Sequence, residues 1–367
     1  RSSDLAQSQM AYRIETIAEI DRVTRQAADA AVSQAIEGLL ERLGLSDEEG
    51  LRMAIRLARG WETAKIRFVS AVTTGLASAF LLAVGVNRSL REAGWYGTSR
   101  PEPDLRQWLD LVALGTVCDV VPLVGVNRAL VRQGLQVMTQ RRNAGLAALA
   151  DVARLKEPPG AYHLGFLLGP RVNAGGRVGQ ADLGARLLSS DDPHEVGALA
   201  LRLDEFNAER RAIEREVLDQ AIARIEGLYG PDRKGLPSVL LVESEGWHVG
   251  VIGIVASRLV ERYGRPAFVI GMDGELGKGS GRSVRGVDLG AAVIAARQAG
   301  LLVNGGGHAM AAGLTVARPA LPELAHFLDT RIATQLGAAP AVRELGIDAA
   351  LAPAAATQEL VEMIERA

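Results

Sequence analysis

Cysteine is almost missing from this chain: Cys118 stands alone among 367 residues. That excludes a disulfide framework and any zinc cluster built on cysteine, and it fits a reducing compartment. Aromatic residues make only 4% of the sequence, which disfavours an extended base-stacking surface. An excess of one charge is also missing. Lys and Arg number 41 against 43 Asp and Glu, for a net charge of −2, so any nucleic-acid footprint must be a local patch. No apolar run reaches the ~18 residues of a membrane span. The opening RSSDLAQSQM has no apolar signal core, and its missing initiator Met suggests a fragment. A hydrophobic share of 48% is ample for a core. The expectation is a cytoplasmic α/β or α-rich protein of two or three domains, with no membrane partner.

Apolar residues recur at three- and four-residue steps over 11–44, predicting a long amphipathic helix that stops at Gly44. Ser46 to Glu49 is a capping-box pattern opening a second helix over about 47–58, with Arg52, Arg56 and Arg59 on a solvated face. Further helices are expected over 76–93, from about 104 into the apolar run that ends at Asp119, and over 127–150. Residues 195–229 read as one long charge-laced helix, a pattern that often bridges two domains. From 235 the pattern changes to strand (238–242), helix (249–263), strand (266–270), which implies a βαβ unit with a parallel pair. A last helix is expected over 322–336. The tail from 341 starts a strand-then-helix pattern.

Two glycine-rich stretches read as loops. Lys278-Gly279-Ser280-Gly281-Arg282-Ser283 offers backbone N–H groups, two hydroxyls and two cations, which suit a phosphate; a plain hairpin turn is the alternative. Gly305-Gly306-Gly307-His308 clears side chains from around a histidine. Arg171 and Arg177 bracket a small-residue turn, either a surface loop or a basic pair. Asp119 is either a metal-binding carboxylate or a helix cap. Asp-x-Asp occurs nowhere, and His163, His194, His248, His308 and His326 are neither adjacent nor at helical ligand spacing. A hydrolytic metal site usually needs several convergent carboxylates or histidines.

Five segments carry a resemblance: LDLVALGTVCDVVPLVGVNRALVRQGL (109–135), GPRVNAGGR (169–177), EGWHVGVIGIVASRLVERYGRP (245–266), GKGSGRS (277–283) and GGGHAMAAG (305–313). In order, from about residue 76 onward, they resemble the RecJ family of single-strand-specific 5′→3′ DNA exonucleases, within the DHH phosphoesterase superfamily. The resemblance implies an α/β fold of two lobes joined by a long connector helix, enclosing a cleft for single-stranded DNA. It implies an atypical helical segment at 1–70, the remainder of a DHH-type lobe at 71–194 and the connector at 195–230. A DHH-associated domain with the βαβ unit would follow at 235–336, and the start of an OB-fold domain at 337–367. It implies Mn²⁺ or Mg²⁺ as cofactor and 5′-phosphorylated single-stranded DNA as substrate, with a role in DNA repair and recombination beside other repair proteins. Asp119 matches the family's metal ligand and catalytic Asp. Ser280, Arg282 and the adjoining Ser283 match the phosphate grip, Arg171 and Arg177 face DNA, and His308 is the histidine of the second lobe. The family's Asp-x-Asp and Asp-His-His are absent from residues 1–70. A fused or frame-shifted gene, a truncated product or a metal-free paralogue would each explain that. The readings this leaves are an exonuclease, an inactive single-stranded-DNA-binding or scaffold paralogue, and a DHH-type phosphatase or nuclease for short substrates. The GPRVNAGGR segment and the OB-like tail argue against the last.

Overall fold

The computed structural model describes residues 75–230, 235–336, 347 and 350–366. The helices expected at 11–44 and 47–58 lie outside the described residues. The chain divides into two compact units at Arg215/Glu216, inside the helix expected over 195–229, which runs Pro193–Tyr229. Among the described residues no helix is long and apolar enough to cross a membrane.

The described part of the first unit is helical. Helix α1 spans Gly75–Glu92. The helix expected from about 104 begins instead as a 3₁₀ turn, Leu105–Trp108, where the Asp104 carboxylate accepts from the Arg106 N–H. It continues as α2, Leu109–Cys118. The single helix expected over 127–150 is two, α3 (Gly125–Thr139) and α4 (Ala144–Val152). The break has a local cause. Arg141 takes a left-handed φ of 53°, and the Asn143 side chain caps α4 by accepting from the Leu146 N–H at 2.8 Å. Next come α5 (Ala161–His163), a π-helical turn (Leu164–Leu168), α6 (Gly169–Val172), α7 (Gly175–Val178) and α8 (Leu183–Ser189). The turn expected around 169–177 is therefore two helical turns. The long helix is α9. Leu149, Leu164, Leu168, Leu187 and Leu203 are fully buried at the centre of this unit's core.

The second unit carries the βαβ motif. Strand β1 (Leu240–Glu245) pairs in parallel with β2 (Ala267–Asp273), and α10 (Val249–Tyr263) lies between them in sequence. His248 caps α10, its Nδ1 accepting from the Gly250 N–H, and Gly264 ends the helix in the left-handed conformation. Then follow β3 (Leu276–Arg282), α11 (Leu289–Gln298), β4 (Asn304–His308), β5 (Ala311–Ala317) and α12 (Leu321–Leu336). The sheet order is β1-β2-β3-β5-β4, antiparallel after the first pair. Both stretches expected as glycine-rich loops are thus strands. In the tail, the described residues form a 3₁₀ turn (Pro353–Ala355) and α13 (Gln358–Arg366), with no strand among them.

Candidate nucleic-acid interface

Strand β3 explains its own glycines. Side chains alternate across a sheet, so Gly277, Gly279 and Gly281 face one side and Lys278, Ser280 and Arg282 the other. On the glycine side there is no room for a side chain. A Cβ would stand 2.5 Å from Met272 Sδ at position 277, 2.7 Å from Leu314 Cδ1 at 279 and 2.4 Å from Phe268 Cε1 at 281. Those neighbours belong to the core packed under α11 and α12. The glycines therefore fit a crowded core. They do not free backbone N–H groups for a ligand, because β2 and β5 pair with β3 along its length. Only side chains of the other face can bind anything.

That face holds the candidate site. Arg282 Nη1 donates to Ser280 Oγ (3.1 Å) and to the Gly281 carbonyl (2.9 Å). Helix α10 packs beside them, and its Gly253 leaves the space they use: a Cβ there would lie 2.9 Å from Arg282 Nη2 and 3.0 Å from Ser280 Oγ. Register then brings in His308. Arg282 pairs with Ala311, and Ala311 pairs with His308. Residues directly opposite in an antiparallel sheet share a face, so Arg282 and His308 stand on one row, two strand spacings or about 10 Å apart. The next row is Ser280, Gly313 and Gly306. A Cβ on Gly306 would meet nothing within 4 Å, and one on Gly313 only the Gly279 carbonyl at 3.9 Å. The result is an open floor of small residues flanked by a hydroxyl, a guanidinium and an imidazole. The β4–β5 turn is tied down by Ser283 N–H to the Met310 carbonyl and Leu289 N–H to the Ala309 carbonyl, both 3.0 Å. Ser283 does not join the site. It is buried, and its hydroxyl donates to the Val287 carbonyl at 2.8 Å, closing the 283–287 turn.

In the first unit, Asp119 is the exposed C-cap of α2. The helix ends in a Schellman pattern: Val120 N–H donates to the Val117 carbonyl and Val121 N–H to the Thr116 carbonyl. Its left-handed residue is usually glycine, yet here it is Val120, with φ 56° and 87% exposed. A β-branched side chain is strained there. Val120→Gly is therefore expected to raise stability by about 1 kcal/mol, less the added freedom of the unfolded chain; an unchanged or lower midpoint in urea would contradict it. Beside Asp119, burial and then the Asp119 charge push the Cys118 thiol up to about 11, so it is protonated at neutral pH. Among the described residues no three His, Cys, Asp or Glu side chains stand together so as to hold a metal ion. The residues described do not fit a two-metal centre.

Arg171 is a clamp. Its Nε meets Asp204 Oδ1 of α9 at 2.8 Å and its Nη1 donates to the Leu167 carbonyl at 2.8 Å. Arg177 is exposed on α7. The segment carrying it lies flush on α9, because a Cβ on Gly175 would stand 3.3 Å from Leu203 Cδ2 and one on Gly179 2.4 Å from the Phe206 ring. Sequence reasoning missed Gly253 and Gly313 as parts of the candidate site, and Asp204 as the partner of Arg171. The period-two Gly-x-Gly-x-Gly of β3 was the available signal that this stretch is a strand.

The DHHA1 domain family matches residues 236–334. The single-stranded-DNA-specific exonuclease RecJ of Dickeya dadantii is 39% identical over 82% of this chain and 53% of its own length. The RecJ of Escherichia coli is 37% identical over the same shares. The chain spans about half the length of these curated relatives. Among solved structures, RecJ from Thermus thermophilus in complex with Mn²⁺ superposes with a TM-score of 0.59 at 32% identity, over 70% of this chain and 36% of that one. Exonuclease RecJ bound to manganese gives 0.57 at 31% identity, over 70% and 60%. The sequence segments and these matches agree, and the chain belongs to the RecJ-like members of the DHH family.

Proposed function

We propose that the second unit grips the 5′-phosphate of single-stranded DNA, as the substrate-holding part of a RecJ-type 5′→3′ exonuclease. The observation that carries this is the floor of Gly306 and Gly313 between Ser280, Arg282 and His308. A terminal phosphate is compact, anionic and rich in acceptors. It needs an open floor for its oxygens, a guanidinium that meets two of them and further donors at the rim. An internal phosphodiester would have to carry chain away on both sides.

The named relatives act on single-stranded DNA and the matching structures hold Mn²⁺. For this chain the corresponding activity is hydrolysis of phosphodiester bonds with Mn²⁺ or Mg²⁺. Asp119 is the one described carboxylate that resembles a metal ligand of the family's motif. No chemical step is derived through them from the residues described. A binding role without hydrolysis is the second reading, favoured by that incomplete ligand set.

The test is end discrimination. Arg282→Ala is expected to weaken binding of a 5′-phosphorylated oligonucleotide by about 1.5–3 kcal/mol, the range for a hydrogen bond to a charged group. Binding of the 5′-hydroxyl strand should change little. Equal losses on both strands, by anisotropy titration, would remove the assignment.

A further inference from the structure

The face that carries Ser280, Arg282 and His308 does not end with them. Side chains of a strand return to one face at every second residue, so Lys278 stands on that face one row beyond Ser280, about 7 Å along β3. Its neighbours across the sheet are Thr315 of β5 and, beyond it, Asn304 of β4. Three rows therefore follow one another: Arg282, Ala311 and His308; Ser280, Gly313 and Gly306; Lys278, Thr315 and Asn304.

The third row is open and lined by donors. Lys278 and Asn304 are exposed and Thr315 is half-buried. Asn304 Oδ1 accepts from the Gly305 N–H at 2.8 Å, which leaves the amide nitrogen as the donor end of that side chain. Thr315 adds a hydroxyl. Among the described residues no carboxylate forms an ion pair with Lys278. On the β2 side the row is closed at Gly271, the partner of Lys278: a Cβ there would run into the Trp247 carbonyl. Trp247 is anchored in turn, its Nε1 donating to Gln220 Oε1 at 2.7 Å. One row further the sign reverses, because the exposed Asp273 stands opposite Leu276 on the same face. The donor-lined floor is thus three rows long and walled on one side.

We propose that this grip takes a 5′ end carrying more than one phosphate, a di- or triphosphate. The first phosphate sits at Ser280, Arg282 and His308, and the others are held by Lys278, Thr315 and Asn304. Neither the second nor the third row offers a ring for a base to stack on, which a second nucleotide would use. Further phosphates need only donors and positive charge. A lysine fits that task, because its compact ammonium on a flexible stem can follow a terminal phosphate. Such an end is what remains when a strand is initiated on a nucleoside triphosphate. The inference rests on the 5′-phosphate reading of the same site and extends it by one row.

The experiment titrates the full chain in EDTA, by anisotropy, with one oligonucleotide sequence labelled at its 3′ end. The strand bears a 5′-hydroxyl, a 5′-monophosphate or a 5′-triphosphate. The parent is expected to bind the triphosphate about tenfold more tightly than the monophosphate, the effect of one further hydrogen bond between charged groups. Lys278→Met keeps the stem and loses the charge, and is expected to bring the triphosphate affinity down to that of the monophosphate. Arg297→Gln removes an exposed charge of α11 outside the site and is expected to keep the ratio, so that the ratio reports the third row rather than net charge. Equal affinity of the parent for the two phosphorylated ends overturns the proposal. So does a ratio that Arg297→Gln lowers as much as Lys278→Met does. An equal loss on both ends in Lys278→Met overturns it too, and would put Lys278 on an internal phosphate. If one of these appears while the parent still prefers the monophosphate to the hydroxyl, only this inference falls. If the parent does not distinguish the monophosphate from the hydroxyl, the 5′-phosphate reading falls and this one with it.

Discussion

Gly281→Val is expected to destabilise the second unit by about 3 kcal/mol or more, while Gly313→Val, one strand away, is expected to leave stability within about 0.5 kcal/mol and to remove the proposed phosphate grip. Position 281 looks into the core: its added Cβ would stand 2.4–2.7 Å from three ring atoms of Phe268, which is fully buried. Overfilling a packed core costs ~1–3 kcal/mol when side chains can move aside. Phe268 has little freedom to do so, between the sheet and the α11 and α12 side. A valine also adds two methyls beyond the Cβ. Position 313 looks the other way, where a Cβ meets only one carbonyl at ordinary contact distance, and valine suits a strand. There it fills the floor between Ser280 and His308. Urea unfolding separates the two variants, and end-specific binding by anisotropy reads the second. The assignment of the two faces would be wrong if Gly313→Val lost as much stability as Gly281→Val, or if it still preferred 5′-phosphorylated strands.

That contrast also shows where the sequence was readable. The parallel βαβ pair and its helix were legible, because β-branched runs flanked by Gly and Pro leave few alternatives. The helix read at 249–263 has those same bounds in the structure. The glycine-rich stretches were misread as loops for a physical reason. Glycine is depleted from strands because it packs nothing, yet β3 and β4 use it where neighbouring elements press against the backbone. The chemistry at Ser280 and Arg282 was visible as residue types. The alignment of Arg282 with His308 was not, because it depends on the register of three strands across a 26-residue separation. Arg171 and Arg177 looked equivalent in sequence, but only the fold distinguishes the clamp on Asp204 from the exposed side chain. Asp119 was legible as a helix end, and its strained neighbour Val120 was not.

Supplied with 5′-phosphorylated single-stranded DNA and Mn²⁺, the chain is expected to bind the strand and to release mononucleotides at least about a hundredfold more slowly than a relative with a full metal site, the several kcal/mol that metal assistance supplies. Two divalent ions about 4 Å apart repel each other by roughly 17 kcal/mol at an effective dielectric of 20, and several anionic ligands must offset that. The sequence has no Asp-x-Asp and no adjacent histidines anywhere. Among the described residues Asp119 belongs to no group of three or more His, Cys, Asp or Glu side chains that could hold a metal ion. The proposed phosphate grip at Ser280, Arg282 and His308 does not depend on metal, so binding should persist in EDTA and weaken with salt as counterions are released. Asp119→Asn then separates the outcomes. If release is absent, the substitution changes neither binding nor fold. If the parent chain releases nucleotides robustly and Asp119→Asn abolishes that release, the expectation of an inactive chain is wrong and further ligands must converge on Asp119 from residues outside those described.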